Sequence, residues 1–119
     1  MNATEAYQQA LEQGPNPSLE PYIATDPQTS FQYSLLVLNA PFLQGETSIA
    51  QDTQTAFQYS LLVLKASFPA GESAIAQNPD TAYRYAVEVL NGRFLAGEST
   101  MQSSHLAQDY DAFVASLTP

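Results

Sequence analysis

Apolar residues in this chain fall in blocks that return almost letter for letter. FQYSLLVL occupies residues 31–38 and again 57–64, and YRYAVEVL stands at 83–90. The offset is a fixed 26 residues, and it also relates Ile23, Ile49, Ile75 and Met101. A period of this size marks a solenoid or array, in which each unit buries its apolar face on its neighbours. The three units read IATDPQTSFQYSLLVLNAPFLQGETS at 23–48, IAQDTQTAFQYSLLVLKASFPAGESA at 49–74 and IAQNPDTAYRYAVEVLNGRFLAGEST at 75–100.

Each unit carries its own start signal. Asp26, Asp52 and Asn78 have short side chains that accept hydrogen bonds from the free amides of a first helical turn. Pro27 and Pro79 follow at the first helical position, where a missing N–H costs nothing. The apolar spacing then predicts a long helix over 27–39, 53–65 and 79–91. Phe42, Phe68 and Phe94 mark a bend before a short helix near 43–51, 69–77 and 95–102, the second of these opening on Pro69. The ends are atypical, as the caps of a stack must be. EAYQQALEQ (5–13) predicts a helix, and the breaker-rich GPNPSLEP (14–21) follows it. LAQDYDAFVASL (106–117) partly echoes IAQNPDTAYRYAVEVL and predicts a closing helix. The expected fold is all-α, a compact helical-repeat solenoid forming one domain over 1–119. It has an N-terminal cap (1–22), three 26-residue helix-turn-helix units and a C-terminal cap (101–119).

The form A-Y-x-Y-A-x-x-V-L-x-G-x-F-x-x-G-E-x-x-I-A resembles short bihelical tandem repeats of phage and bacterial proteins. The likeness covers residues 23–101 and is clearest in AYRYAVEVLNGRFLAGESTM of the third unit. It implies a repeat scaffold with no set activity, and no functional residue follows from it. Units one and two depart from the form at Leu36 and Leu62, where unit three has Glu88. They depart again at Ala40-Pro41 and Ala66-Ser67, where unit three has Gly92-Arg93.

On a wheel of 3.6 residues per turn, Tyr83, Val87 and Leu90 share one side, and Ala86, Val89 and Tyr85 widen the apolar arc. The remaining arc holds Arg84, Glu88 and Asn91, with Arg84 and Glu88 spaced for an i,i+4 ion pair. In units one and two the same solvent arc carries Gln32 with Leu36 and Gln58 with Leu62. Two leucines on adjacent helices would form an apolar strip, either a surface for a partner or a second copy, or a face covered by a segment such as GPNPSLEP. The ladder Tyr33, Tyr59, Tyr85, with Phe31, Phe57 and Tyr83 beside it, reads as core between repeats or as an interface row. Glu46, Glu72 and Glu98 recur early in the short helix. They either complement its positive end or form a charge ladder that imitates phosphates.

Charge narrows the partners. Twelve acidic residues face only Lys65, Arg84 and Arg93, a net charge of −9. Three cations cannot neutralise a phosphate backbone, so direct nucleic-acid binding is not expected. A protein partner with a basic surface is. No apolar run approaches the ~20 residues of a membrane span, and MNATEAYQQALEQG lacks a signal-peptide pattern, so a soluble, cytoplasmic protein is expected, in the host cytoplasm if the chain is viral.

Chemistry adds little. Without cysteine and with His105 as the one histidine, the common zinc and Cys–His arrangements have no ligands. A triad of His105 with Ser103 or Ser104 and Asp109 would be too cramped on one segment. No dinucleotide, Walker or EF-hand motif is present. No cofactor and no enzymatic activity are expected. The expected function is a non-catalytic protein-binding repeat, in its most specific form a small acidic phage-encoded inhibitor of a host defence or nucleic-acid enzyme such as a CRISPR effector. Its binding residues would be Gln32, Leu36, Gln58 and Leu62, with Glu46, Glu72 and Glu98. The alternative is a self-associating structural repeat that forms a homodimer.

Overall fold

Every repeat opens on the cap its sequence predicts. Asp26 accepts from the Thr29 amide at 2.8 Å and Asp52 from the Thr55 amide at 3.0 Å, and both also accept from the threonine hydroxyl. Asn78 accepts from the Thr81 amide at 3.0 Å. The computed structural model describes residues 1–117; Thr118 and Pro119, the last positions of the expected C-terminal cap, lie outside the described residues.

Among the described residues every regular element is helical. α1 (Ala3–Gln13) and α2 (Glu20–Ile23) form the N-terminal cap. α3 (Pro27–Gln32) and α4 (Glu46–Ile49) build the first repeat, α5 (Thr53–Gln58) and α6 (Glu72–Ile75) the second, and α7 (Pro79–Arg84) and α8 (Glu98–Gln102) the third. α9 (Ala107–Ser116) closes the stack. A single 3₁₀ turn, Leu43–Gly45, Pro69–Gly71 or Leu95–Gly97, leads into each short helix. The glycine there is sterically required: a Cβ on Gly71 would lie 2.6 Å from the Phe68 ring and 2.9 Å from Ala56 Cβ.

The long helices differ from the expected regular form. α3, α5 and α7 continue as π-helices, Tyr33–Leu38, Tyr59–Leu64 and Tyr85–Leu90. The amides of Asn39, Lys65 and Asn91 donate to carbonyls five residues back, at Ser34, Ser60 and Ala86. Hydroxyls of Ser34 and Ser60 also donate to the Phe31 and Phe57 carbonyls at 2.6 Å, a competition that bends helices. Ala86 makes the same wide turn without a hydroxyl, so the serine is not its cause. What all three share is a left-handed terminator, with φ of 55° at Asn39, 53° at Lys65 and 48° at Asn91.

The wide turn moves the buried side. An i→i+5 turn advances fewer degrees per residue than an α-helix, and a 3.6 wheel drifts along it. The apolar arc is as broad as expected, but its buried centre is Ala82, Tyr85 and Ala86, whereas Tyr83, Val87 and Leu90 are only half-buried. Arg84, Glu88 and Asn91 face solvent as predicted. Ile23, Ile49, Ile75 and Met101 form a fully buried column, one residue per layer. The long axis of 50 Å spans five layers, two caps and three repeats, so each layer takes about 10 Å, the usual distance between packed helices. α9 closes this column in a different register from the expected echo. That echo sets Tyr110 against Pro79, but Tyr110 is fully buried and does what Tyr85 does one layer earlier.

Candidate functional site

Two features of the stack recur once per repeat: a seam of tyrosines inside and a row of residues outside. The seam explains the acidic ladder. Tyr59 donates its hydroxyl proton to Glu46 Oε2 at 2.6 Å and accepts from the Phe42 amide at 3.0 Å, both groups of the preceding repeat. Tyr85 bonds Glu72 and the Phe68 amide at 2.7 and 2.9 Å in the same way. The caps complete the series: Tyr33 bonds Glu20 and the Asn16 amide, and Tyr110 bonds Glu98 and the Phe94 amide. Each of the first three rings also meets the phenylalanine of its own repeat edge-on, with centroids 4.9–5.2 Å apart.

The seam tyrosines are therefore core, and their hydroxyls pin each layer to the next. Burial first, and then the Glu20 carboxylate, push Tyr33 up to about 12. Burial raises Tyr59, Tyr85 and Tyr110 too. Glu98 is held below the usual carboxylate range, by Arg93 first and by Tyr110 second. Glu46, Glu72 and Glu98 do open their short helices as predicted, but each already serves a tyrosine. The mark of this pairing is a tyrosine 13 residues after a glutamate, at 20/33, 46/59 and 72/85, shortened by one at 98/110. It extends into both caps, beyond the 26-residue units.

Outside, the helices carry the predicted strip. Gln32 and Gln58 are exposed, Leu36 is 64% exposed and Leu62 46%. The N-terminal GPNPSLEP segment does not cover them. It turns inward instead, burying Leu19 and offering Glu20 and Asn16 to Tyr33. Leu62 borders a shallow hollow of about 90 Å³ with Ser34, Leu35, Asn39, Ala40, Val63 and Lys65. The strip thus reaches from the second repeat onto the end of the first. In the third repeat Arg84 and Glu88 form the expected ion pair at 2.7 Å, and the Arg84 guanidinium also lies 4.9 Å from the centre of the Phe57 ring. Glu88 faces a second hollow that it shares with Lys65.

Among the described residues, the side-chain hydrogen bonds of Glu46, Glu72 and Glu98 run to Tyr59, Tyr85, Tyr110 and Arg93 and not to the residues of the strip. The candidate residues thus fall into two groups, Gln32, Leu36, Gln58 and Leu62 on the outer helix face, and Glu46, Glu72 and Glu98 at the tyrosines. A second exposed row stands at Leu43, Pro69 and Leu95, with Leu43 76% and Leu95 69% exposed. Its sign in the sequence is the proline, since a position that alternates Leu with Pro is not held by packing.

The residues weighed for catalysis are not brought together. His105 is exposed with Nε2 3.4 Å from Asp80 Oδ1, and the Ser103 and Ser104 hydroxyls donate to the carbonyls of Ser99 and Met101. Among the described residues no group of three or more His, Cys, Asp or Glu side chains is placed to hold a metal ion, and no helix is long and apolar enough to cross a membrane. No family model, curated protein or solved structure matches the chain.

Proposed function

We propose that this chain is a non-catalytic helical repeat that binds another protein through the outer face of its first two repeats. The observation that carries this reading is the exposure of Leu36 and Leu62 at one repeat position on neighbouring helices, where the third repeat has the ion-paired Glu88. Neighbouring exposed apolar side chains of this kind mark a contact surface. The net charge of −9 supports a partner with a basic surface. In its finer form the protein is a small acidic inhibitor that covers the basic face of a nucleic-acid or defence enzyme.

Glu46, Glu72 and Glu98 support the finer form through charge rather than through imitation of a duplex. They supply one carboxylate per layer of about 10 Å, whereas a duplex carries one charge per ~1.7 Å. Contact is therefore assigned to the leucine strip, and the carboxylates supply attraction at a distance. The test is capture from a host lysate on immobilised wild type and on the Leu36→Glu, Leu62→Glu variant. The reading expects a protein retained by the wild type and lost from a variant of unchanged helicity. Equal retention by the two contradicts it.

A further inference from the structure

The two repeats that keep the leucines also leave their carboxylates without cations. Residues 23–74, the first two repeats, hold four Asp and Glu against Lys65 alone, and residues 75–100, the third, hold three against Arg84 and Arg93. Both arginines are engaged within their own repeat, Arg84 with Glu88 at 2.7 Å and Arg93 with Glu98 at 2.9 Å. At the position of Arg93 the first two repeats have Pro41 and Ser67, so Glu46 and Glu72 have no such partner. Lys65 lines both the hollow beside Leu62 and the one it shares with Glu88 of the third repeat. Repeat three pairs Glu88 and Glu98 with its own arginines, whereas Glu46 and Glu72 of repeats one and two have a tyrosine partner and no arginine.

Spacing selects the shape of what fits. Leu36 and Leu62 stand at one position in adjacent layers, and the layers rise by about 10 Å each along the stack. Side chains on one face of an extended strand recur at about 6.6 and 13 Å. On an α-helix, residues i and i+7 share a face at about 10.5 Å, which is the match. A second copy of this chain is a poor occupant, because two molecules of charge −9 repel.

We infer that the outer face of repeats one and two takes up a basic amphipathic helix of another protein. The helix lies along the stack, with two apolar residues one heptad apart seated on Leu36 and Leu62 and its Lys and Arg side chains drawn by the net charge of −9. Docking of an amphipathic helix through heptad-spaced anchors is an established mode of recognition. The hollow beside Leu62, with Asn39, Ala40 and Lys65 in its wall, gives one anchor room to enter. This inference rests on the protein-binding reading above and names the partner's chemistry.

The probe is a labelled synthetic helix of about three heptads with Leu at the a and d positions and Lys elsewhere. Its controls are the same peptide with Glu for Lys, and a scramble of equal composition without an apolar stripe. Anisotropy titrations compare wild type with the variant Gln32→Arg, Leu36→Glu, Gln58→Arg, Leu62→Glu, which copies the outer face of repeat three onto a backbone known to accept it. The expected result is binding of the basic amphipathic peptide by the wild type, weakened roughly tenfold or more in the variant, with circular dichroism unchanged. Arg84→Gln with Glu88→Leu, which extends the row to a third leucine, should bind at least as tightly as wild type. Equal binding of the scramble, tighter binding of the acidic peptide, or indifference to the four substitutions each overturns the inference. So does a dimer seen by light scattering that the four substitutions dissolve, since the occupant is then a second copy. If host-protein capture depends on Leu36 and Leu62 while the peptide fails, this inference falls and the protein-binding reading stands; if capture ignores the leucines, both fall.

Discussion

Repeats two and three share a backbone and differ on the outside. Both open on a capped turn, widen into a π-helix, end on a left-handed residue and bury a tyrosine that bonds the glutamate and an amide of the layer before. On the solvent arc the third repeat sets Arg84 against Glu88, whereas the second sets Gln58 beside an exposed Leu62. The cover also differs: Phe57, beneath Arg84, is 2% exposed, and Phe31, its counterpart one layer earlier, is 9% exposed. Fold and surface are thus written by different positions of one repeat, and the surface positions are free to vary because the seam does not use them.

The seam should respond most strongly to pH. Its tyrosines are held protonated, with folded values above the ordinary 10.0 and Tyr33 at about 12. A value raised on folding stabilises fully below the unfolded value and is lost as pH rises through the folded one. The helical signal should therefore hold up to about pH 10 and collapse as pH climbs toward 12 and beyond, in step with tyrosinate absorbance. Ionisation of the seam tyrosines well before the helices melt would break the claim that they pin the layers.

Single substitutions compare the repeats directly. Tyr59→Phe leaves the buried Phe42 amide without an acceptor and Glu46 without its donor, and should cost about 1–3 kcal/mol in urea unfolding. Tyr85→Phe should cost the same, since its bonds are the same. A large difference between the two would show that the seam is not uniform. The smallest effect is expected at the terminators. Lys65 holds φ 53° where its counterparts are asparagine, a residue favoured in this region among those with a side chain. Lys65→Asn should stabilise by about 0.5–1 kcal/mol, and destabilisation would mean that Lys65 has a structural partner outweighing its strain.

Much of this was legible in the residues themselves. Asp26, Asp52 and Asn78 announce their helices because a cap is local chemistry, and the 26-residue period announces the stack because equivalent layers need equivalent side chains. The solvent arc at Leu36 and Leu62 was legible from the charged residues at the same position in the third repeat. Whether GPNPSLEP covers them was not, because the course of that segment is set by the bonds of Glu20 and Asn16 to Tyr33. The buried centre at Ala82, Tyr85 and Ala86 was not, because a wheel assumes a regular turn and the chain widens into a π-helix. Tyr110 was hidden because the echo of 106–117 sets it against Pro79, six positions from Tyr85, whose role it takes. The pairing of Glu46 with Tyr59 was visible as a spacing, but its meaning needed the layers in three dimensions.

The central claim is that the outer leucines serve binding and not folding. Urea unfolding of wild type beside the Gln32→Arg, Leu36→Glu, Gln58→Arg, Leu62→Glu variant tests it most directly. The account predicts stabilities equal within about 0.5 kcal/mol, as for exposed positions away from packed features. A loss of several kcal/mol would place Leu36 and Leu62 in the core and contradict it.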